Sequence, residues 1–194
     1  MHKLLTATAM AVGIVAIPTV ASAESQWRLF GGVSNVGDFD YAYGPYEADL
    51  TTDSGFVIGA AYGMVNGSWV FEGELAYRSA DFDSVEVLAY TIEVDGSVSS
   101  LSLMANAWYH FPTGSNWGVY AGGGIGFANA EAELEGASDS STEFAWQVGA
   151  GLQARTESGL AYGVGYRYFN VSEVADTGID VSAHELIFEI SSRF

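Results

Sequence analysis

The stretch VSAHELIFEISSRF, Val181 to Phe194, decides how the rest of the chain is read. A period of two puts His184, Leu186, Phe188, Ile190, Ser192 and Phe194 on one face, with Ala183, Glu185, Ile187, Glu189, Ser191 and Arg193 on the other. The first face is apolar and the second holds the carboxylates and the guanidinium. The segment reads as a strand with an oily side and an ionic side, ending on an aromatic residue.

Bulk properties narrow what such a strand belongs to. The chain has 194 residues, enough for one domain, with 14% aromatic residues, 24 Gly, 3 Pro and 15% charged residues, a composition neither disordered nor helical. It has no cysteine, which excludes a disulfide scaffold, thiolate metal sites and the acylated cysteine of a lipoprotein. A formal charge of −18 with six Lys and Arg excludes nucleic acid as a partner, since phosphate contacts need clustered cations.

The first residues form a unit of their own. His2 and Lys3 precede an apolar run from Leu4 to Val20, broken by Pro18, and Ala21, Ser22 and Ala23 supply small residues for a signal peptidase, with Ala21 and Ala23 at the cleavage positions. Residues 1–23 are expected to be a cleaved secretory signal, and 24–194 the mature domain. After residue 23 no apolar run reaches the roughly 18 residues of a spanning helix. Any membrane crossing would be made by strands.

Eight segments alternate: 25–34, 55–64, 69–79, 98–111, 117–129, 143–155, 160–170 and 181–194. Their connections alternate too. Those at 65–68 (with Asn66-Gly67, a hairpin turn), 112–116 and 156–159 are short, whereas those at 35–54, 80–97, 130–142 and 171–180 are long. An even number of strands with short turns at one end and long loops at the other predicts an all-β, eight-stranded antiparallel up-and-down transmembrane β-barrel.

Assigning the bulkier apolar parity of each strand to the outside leaves no acidic or basic side chain there. The other parity collects Arg28, Glu72, Glu74, Arg78, Arg155, Arg167, Glu185, Glu189 and Arg193, which are expected to form an ion-pair network in the lumen. Chance would put all five mature-chain arginines inside about one time in thirty. The physical reason is that Arg on the lipid face costs roughly 2–4 kcal/mol near mid-bilayer. A lipocalin-like soluble barrel needs the opposite polarity. The outward aromatics fall at two heights. Trp27, Tyr62, Trp69, Tyr109, Phe111, Trp117, Tyr162 and Phe194 lie near the short turns, while Phe56, Tyr77, Phe127, Phe144, Trp146 and Tyr168 lie near the long loops, as two interfacial belts would.

With these residues in place, the whole mature segment resembles the small eight-stranded outer-membrane barrels typified by the OmpA transmembrane domain and the opacity-type proteins. The resemblance implies a Gram-negative outer-membrane location, both termini in the periplasm, contacts with membrane lipid and lipopolysaccharide, and a monomer. It also implies that Leu186, Phe188, Ile190 and Phe194 are the signal read by the barrel-assembly machinery. The chain ends at strand eight, so OmpA's peptidoglycan-binding domain and cell-wall tethering are not expected.

Function is then a choice between lumen and loops. Strand order suggests the pairs Arg167 with Glu185 and Arg28 with Glu189, with Glu72 or Glu74 meeting a neighbouring Arg; a structural plug of ion pairs is expected, with a small porin-like ion path as the alternative. Seventeen of the 24 acids lie in the long links, where they favour solvation and solubility. Asp38, Asp40, Asp81 and Asp83, each pair flanking a Phe, raise the further idea of a divalent-cation site. Gly149-Ala150-Gly151-Leu152-Gln153-Ala154 matches a dinucleotide fingerprint, but no helix pattern follows it, and Gly122 to Gly126 reads as close strand packing rather than a phosphate cradle. Ser182 and His184 share the lipid face and raise lipid A modification as a rival activity, without a fixed acid or oxyanion donors. His110 reads as a packed polar residue of the lumen. The expected protein is a non-enzymatic surface structural or interaction protein without a cofactor, touching host or envelope ligands through its loops.

Overall fold

The structure is a computed structural model and describes residues 24–36, 39–43, 46–52, 54–87, 90–92, 96–134, 137–172 and 180–194. At 36, 39–43, 46–52, 81–87, 90–92, 96–97, 132–134 and 137–139 the backbone alone is described. The expected leader, with Ala21 and Ala23, lies outside the described residues.

The strands are β1 Glu24–Val36, β2 Phe39–Tyr43, β3 Tyr46–Thr52, β4 Ser54–Asn66, β5 Trp69–Val87, β6 Tyr90–Ile92, β7 Gly96–Phe111, β8 Trp117–Leu134, β9 Ala137–Arg155, β10 Leu160–Val171 and β11 Val181–Arg193. Eight of them, β1, β4, β5, β7, β8, β9, β10 and β11, join edge to edge through antiparallel ladders, and β11 pairs back onto β1. The sheet therefore closes into the eight-stranded barrel that the alternation predicts, with no free edge in its wall. At the seam the register runs from Gln26↔Arg193 to Val36↔Ala183. Two backbone bonds lock its end: Ser25 N donates to Phe194 O at 3.0 Å and Phe194 N to Ser25 O at 2.9 Å.

Three of the links expected to be loops contain strand. β2 pairs with β3, β3 and β6 each pair with β5, and the β8–β9 ladder continues to Leu134↔Ala137. In the β5–β6 ladder Val85 stands opposite Ile92 and Val87 opposite Tyr90. The reason is that Ala130-Glu131-Ala132-Glu133-Leu134 still alternates. Backbone pairing can continue along such a segment without the bulky apolar residues that mark a buried wall. At the opposite end the turns are tight. Asn66 faces Trp69 across a two-residue loop whose Gly67 has φ of 60°, a left-handed conformation that disfavours a side chain.

The two faces of the wall separate by polarity. Ile58, Ile125 and Phe188 are 58%, 60% and 65% exposed on the outside. Inside, apolar layers lie above and below the charges. Val65, Val70, Trp108 and Tyr120 pack toward the short turns, and Met104, Ala128, Ala145, Phe169 and Val171 pack toward the long links.

Candidate functional site: the charged lumen

Inward parity on β1, β5, β10 and β11 aims Arg28, Glu72, Glu74, Arg78, Arg167, Glu185 and Glu189 at the axis, where all are buried. Arg28 is the hub. Its Nη1 donates to Glu189 Oε2 at 3.1 Å, and its Nη2 donates to Glu74 Oε2 at 2.9 Å and to Glu72 Oε1. Arg167 Nη1 reaches Glu74 Oε1 at 2.8 Å, so Glu74 bridges two guanidiniums. Arg78 Nε donates to Glu185 Oε1 at 2.6 Å and its Nη1 to Ser102 Oγ at 2.7 Å. Neutral donors complete the carboxylates. Trp108 Nε1 donates to Glu72 Oε1 at 2.7 Å, Asn106 Nδ2 to Glu74 Oε2 at 3.0 Å, and Gln147 Nε2 to Asn106 Oδ1 at 2.7 Å.

Rings sheathe the cations. The Phe30 centroid is 5.0 Å from the Arg28 Cζ and 4.7 Å from that of Arg167, and Phe169 lies 3.6 Å from the Arg78 Cζ. Phe30 fits because the facing position is Gly59, where an added Cβ would fall 2.4 Å from its ring. Gly151 and Gly165 likewise leave room for the Tyr120 ring and hydroxyl, each at 2.6 Å from a would-be Cβ. That role, in the middle of a strand, explains Gly151 of the apparent dinucleotide fingerprint; at Gly149 an added Cβ would fall 2.7 Å from the Tyr166 carbonyl oxygen.

The expected pairs are partly re-sorted. Arg28 meets Glu189, and Glu72 and Glu74 meet Arg28. Arg167 and Glu185 are opposite each other in the β10–β11 ladder, yet Arg167 pairs with Glu74 and Glu185 with Arg78. Neighbouring side chains run side by side toward the axis, so an extended arginine overshoots the shorter glutamate next to it. It meets a carboxylate coming from a wall across the lumen. Arg155 and Arg193 depart further. They are half-buried near the short turns and pair with no carboxylate among the described residues: Arg193 Nε donates to Gln26 Oε1 at 3.2 Å and Arg155 Nη1 to Gly159 O at 3.4 Å. At the mouth, water can solvate a guanidinium, so no carboxylate partner is required.

Asn106, Trp108, Gln147, Phe30 and Tyr120 are members of the network that pattern reading passed over. Their inward parity on β1, β7, β8 and β9 was the available signal. His110 stacks on Tyr120 with centroids 5.4 Å apart. On the outer wall, Tyr166 OH and His184 Nδ1 are 2.5 Å apart, and no described hydrogen bond links His184 to Ser182. Among the described residues no three His, Cys, Asp or Glu gather as a metal site, and the side chains of Asp38, Asp40, Asp81 and Asp83 lie outside those described.

The aromatic positions occupy the outer wall as two groups. Near the short turns Trp69 and Tyr109 meet edge to face at 5.1 Å and Tyr62 lies 6.4 Å from Phe194, with Trp27, Trp117 and Tyr162 at similar height. Near the long links Phe56 lies 6.1 Å from Tyr77, Trp146 5.4 Å from Tyr168, and Phe127 6.5 Å from Phe144. Leu186, Phe188 and Phe194 are exposed on the outside and Ile190 is half-buried there.

An oily exterior around a filled ionic axis defines a transmembrane β-barrel. The sequence matches the family model described as outer membrane protein beta-barrel domain over residues 7–194; the chain belongs to that family, and its place is the outer membrane. No curated protein matches the sequence. Among solved structures the chain resembles Neisserial surface protein A, with 17% identity over 88% of this chain and 97% of that one and a TM-score of 0.63. It also resembles the attachment invasion locus protein Ail of Yersinia pestis, with 21% identity, 89% and 99% coverage and a TM-score of 0.52. For OprG of Pseudomonas aeruginosa the values are 13%, 89%, 97% and 0.53. Identities this low establish a shared fold and nothing finer.

Proposed function

We propose that this protein is an ion-tight, non-enzymatic, monomeric surface protein of the outer membrane, structural or interacting, whose contacts are made by its acidic long links. The observation that carries the reading is the chain Arg28–Glu74–Arg167, which spans the lumen from β1 through β5 to β10. An ion moving along the axis must break buried pairs, and stripping one partner from such a pair costs about 3–5 kcal/mol. Single-channel recording on the purified barrel is expected to show no steady large conductance; a steady large conductance overturns the plug.

Orientation follows from loop length. Short turns and both termini face the periplasm, and the long links face outward. The two aromatic groups then rest at the two interfaces against lipid and lipopolysaccharide, and Leu186 to Phe194 engages the barrel-assembly machinery. Ail was solved in complex with the heparin analogue sucrose octasulfate. Seventeen acids in the long links of this chain favour basic partner surfaces instead, because like charges repel at encounter. Cells carrying link deletions, assayed for host binding and detergent sensitivity, separate an interaction role from an envelope-stability role.

A further inference from the structure

At the short-turn end the lumen opens into a vestibule of about 390 Å³, lined by the 112–118 turn, Gly67-Ser68, and Arg155, Thr156, Glu157 and Arg193, with His110 and Gln153 at its floor. It is a dead end. Above the floor, Trp108 and Tyr120 meet edge to face with centroids 5.8 Å apart, in the layer they share with Val65 and Val70.

The electrostatics of this vestibule differ from those of the rest of the lumen. Arg28, Arg78 and Arg167 all hold carboxylates, whereas Arg155 and Arg193 hold only a carbonyl and an amide oxygen among the described residues. The two guanidiniums come from β9 and β11, flank the turn at 156–159 and line the same cavity. The acids nearby are Glu157, exposed on the turn, and Glu24, which acts on Arg193 without a described ion pair. In a chain of net charge −18, two partly dehydrated cations are left facing one cavity.

We propose that this vestibule is a binding site for a small phosphate monoester. A carboxylate brings one charge and two oxygens to a pair of guanidiniums, whereas a tetrahedral dianion brings two charges and three terminal oxygens to forks arriving from different strands. Ser68 and Asn116 add neutral donors at the mouth. A volume of about 390 Å³ also falls in the range of small-molecule pockets and leaves room for the group the phosphate carries. The phosphate monoester can come from a soluble ester or from phosphatidic acid in the adjoining leaflet, whose headgroup is the same monoester.

The test titrates sn-glycerol 3-phosphate, with acetate as control, into the full mature barrel in phosphate-free maltoside micelles, following the backbone amides of Gly67 and Gly114. Saturable shifts are expected with the phosphate and not with acetate. Binding should weaken about tenfold or more in the double variant Arg155→Gln with Arg193→Gln, as loss of two charge-assisted contacts requires, and tighten in Glu157→Gln. Heat-modifiable migration confirms that each variant is folded. If the soluble ester is silent but nanodiscs with phosphatidic acid move these glycines, and those of zwitterionic lipid or the double variant do not, the headgroup is the source. No saturable shift in either arm, equal affinity in the double variant, or equal binding of acetate overturns the proposal.

Discussion

Arg78 on β5 donates through Nε to Glu185 Oε1 on β11 at 2.6 Å, crossing the lumen to a carboxylate whose ladder partner is Arg167. The pair is almost without solvent contact, with side-chain exposures of 6% and 0%. Removing one member leaves a buried charge without its partner. Arg78→Met is therefore expected to destabilise the barrel by about 3–5 kcal/mol, and Glu185→Leu by a similar amount. Arg78→Met with Glu185→Leu together should cost clearly less than the sum, because no orphaned ion remains. Urea midpoints of the three variants in micelles close the cycle; additive losses would mean that the two side chains do not act as a pair.

Gly151 and Gly165 face Tyr120 from β9 and β10, and an added Cβ at either would fall 2.6 Å from its ring or hydroxyl. Gly151→Ala is expected to destabilise the fold by about 1–3 kcal/mol through overpacking, and to cost clearly less on a Tyr120→Ser background, where the ring it crowds is gone. A nucleotide site would show neither effect but would lose ligand affinity. Melting curves of the single and double variants separate the readings.

These two sites mark where pattern reading succeeds and where it stops. The face each residue occupies was legible because pleating imposes a period of two whatever the tertiary fold, and Arg78, Arg167 and Glu185 lie inside as their parity requires. Which carboxylate each arginine takes was not legible. That depends on side-chain length against the width of the lumen, and the Arg167–Glu185 adjacency in sequence register points the wrong way. The extension of β8 and β9 to Leu134 and Ala137 was hidden for another reason: between 130 and 142 Leu134 is the one large apolar residue, so no face of the pattern stands out as a wall. Arg155 and Arg193 share the inward parity of the other arginines, and only their height along the barrel puts them at a mouth rather than in the plug.

The terminal residue offers a test that separates assembly from stability. Phe194 contributes two backbone hydrogen bonds to Ser25 across the seam and an aromatic contact with Tyr62. Deleting it should cost only about 1–3 kcal/mol in a purified, refolded barrel, as two hydrogen bonds are each worth about 1 kcal/mol net. If Phe194 is also read by the assembly machinery, the heat-modifiable band in cells should fall far more than that loss of stability explains. Equal folding in cells with and without Phe194 would count against the signal.

The exterior can be probed one residue at a time. Leu75 projects from β5 between the two aromatic groups, half exposed, while Glu74 and Ala76 on either side of it point inward and are buried. If hydrocarbon solvates that face, Leu75→Arg places a guanidinium where it can be neither hydrated nor paired, at an expected cost of about 2–4 kcal/mol. Ser158→Arg, on an exposed turn, adds the same charge where water reaches it and should stay within about 0.5 kcal/mol of the parent. The comparison controls for net charge, and the roughly 1 kcal/mol span of strand propensities is smaller than the cost expected from lost solvation. Folding titrations into phospholipid vesicles measure both, and an unchanged stability for Leu75→Arg would contradict the assignment of the oily face to the bilayer.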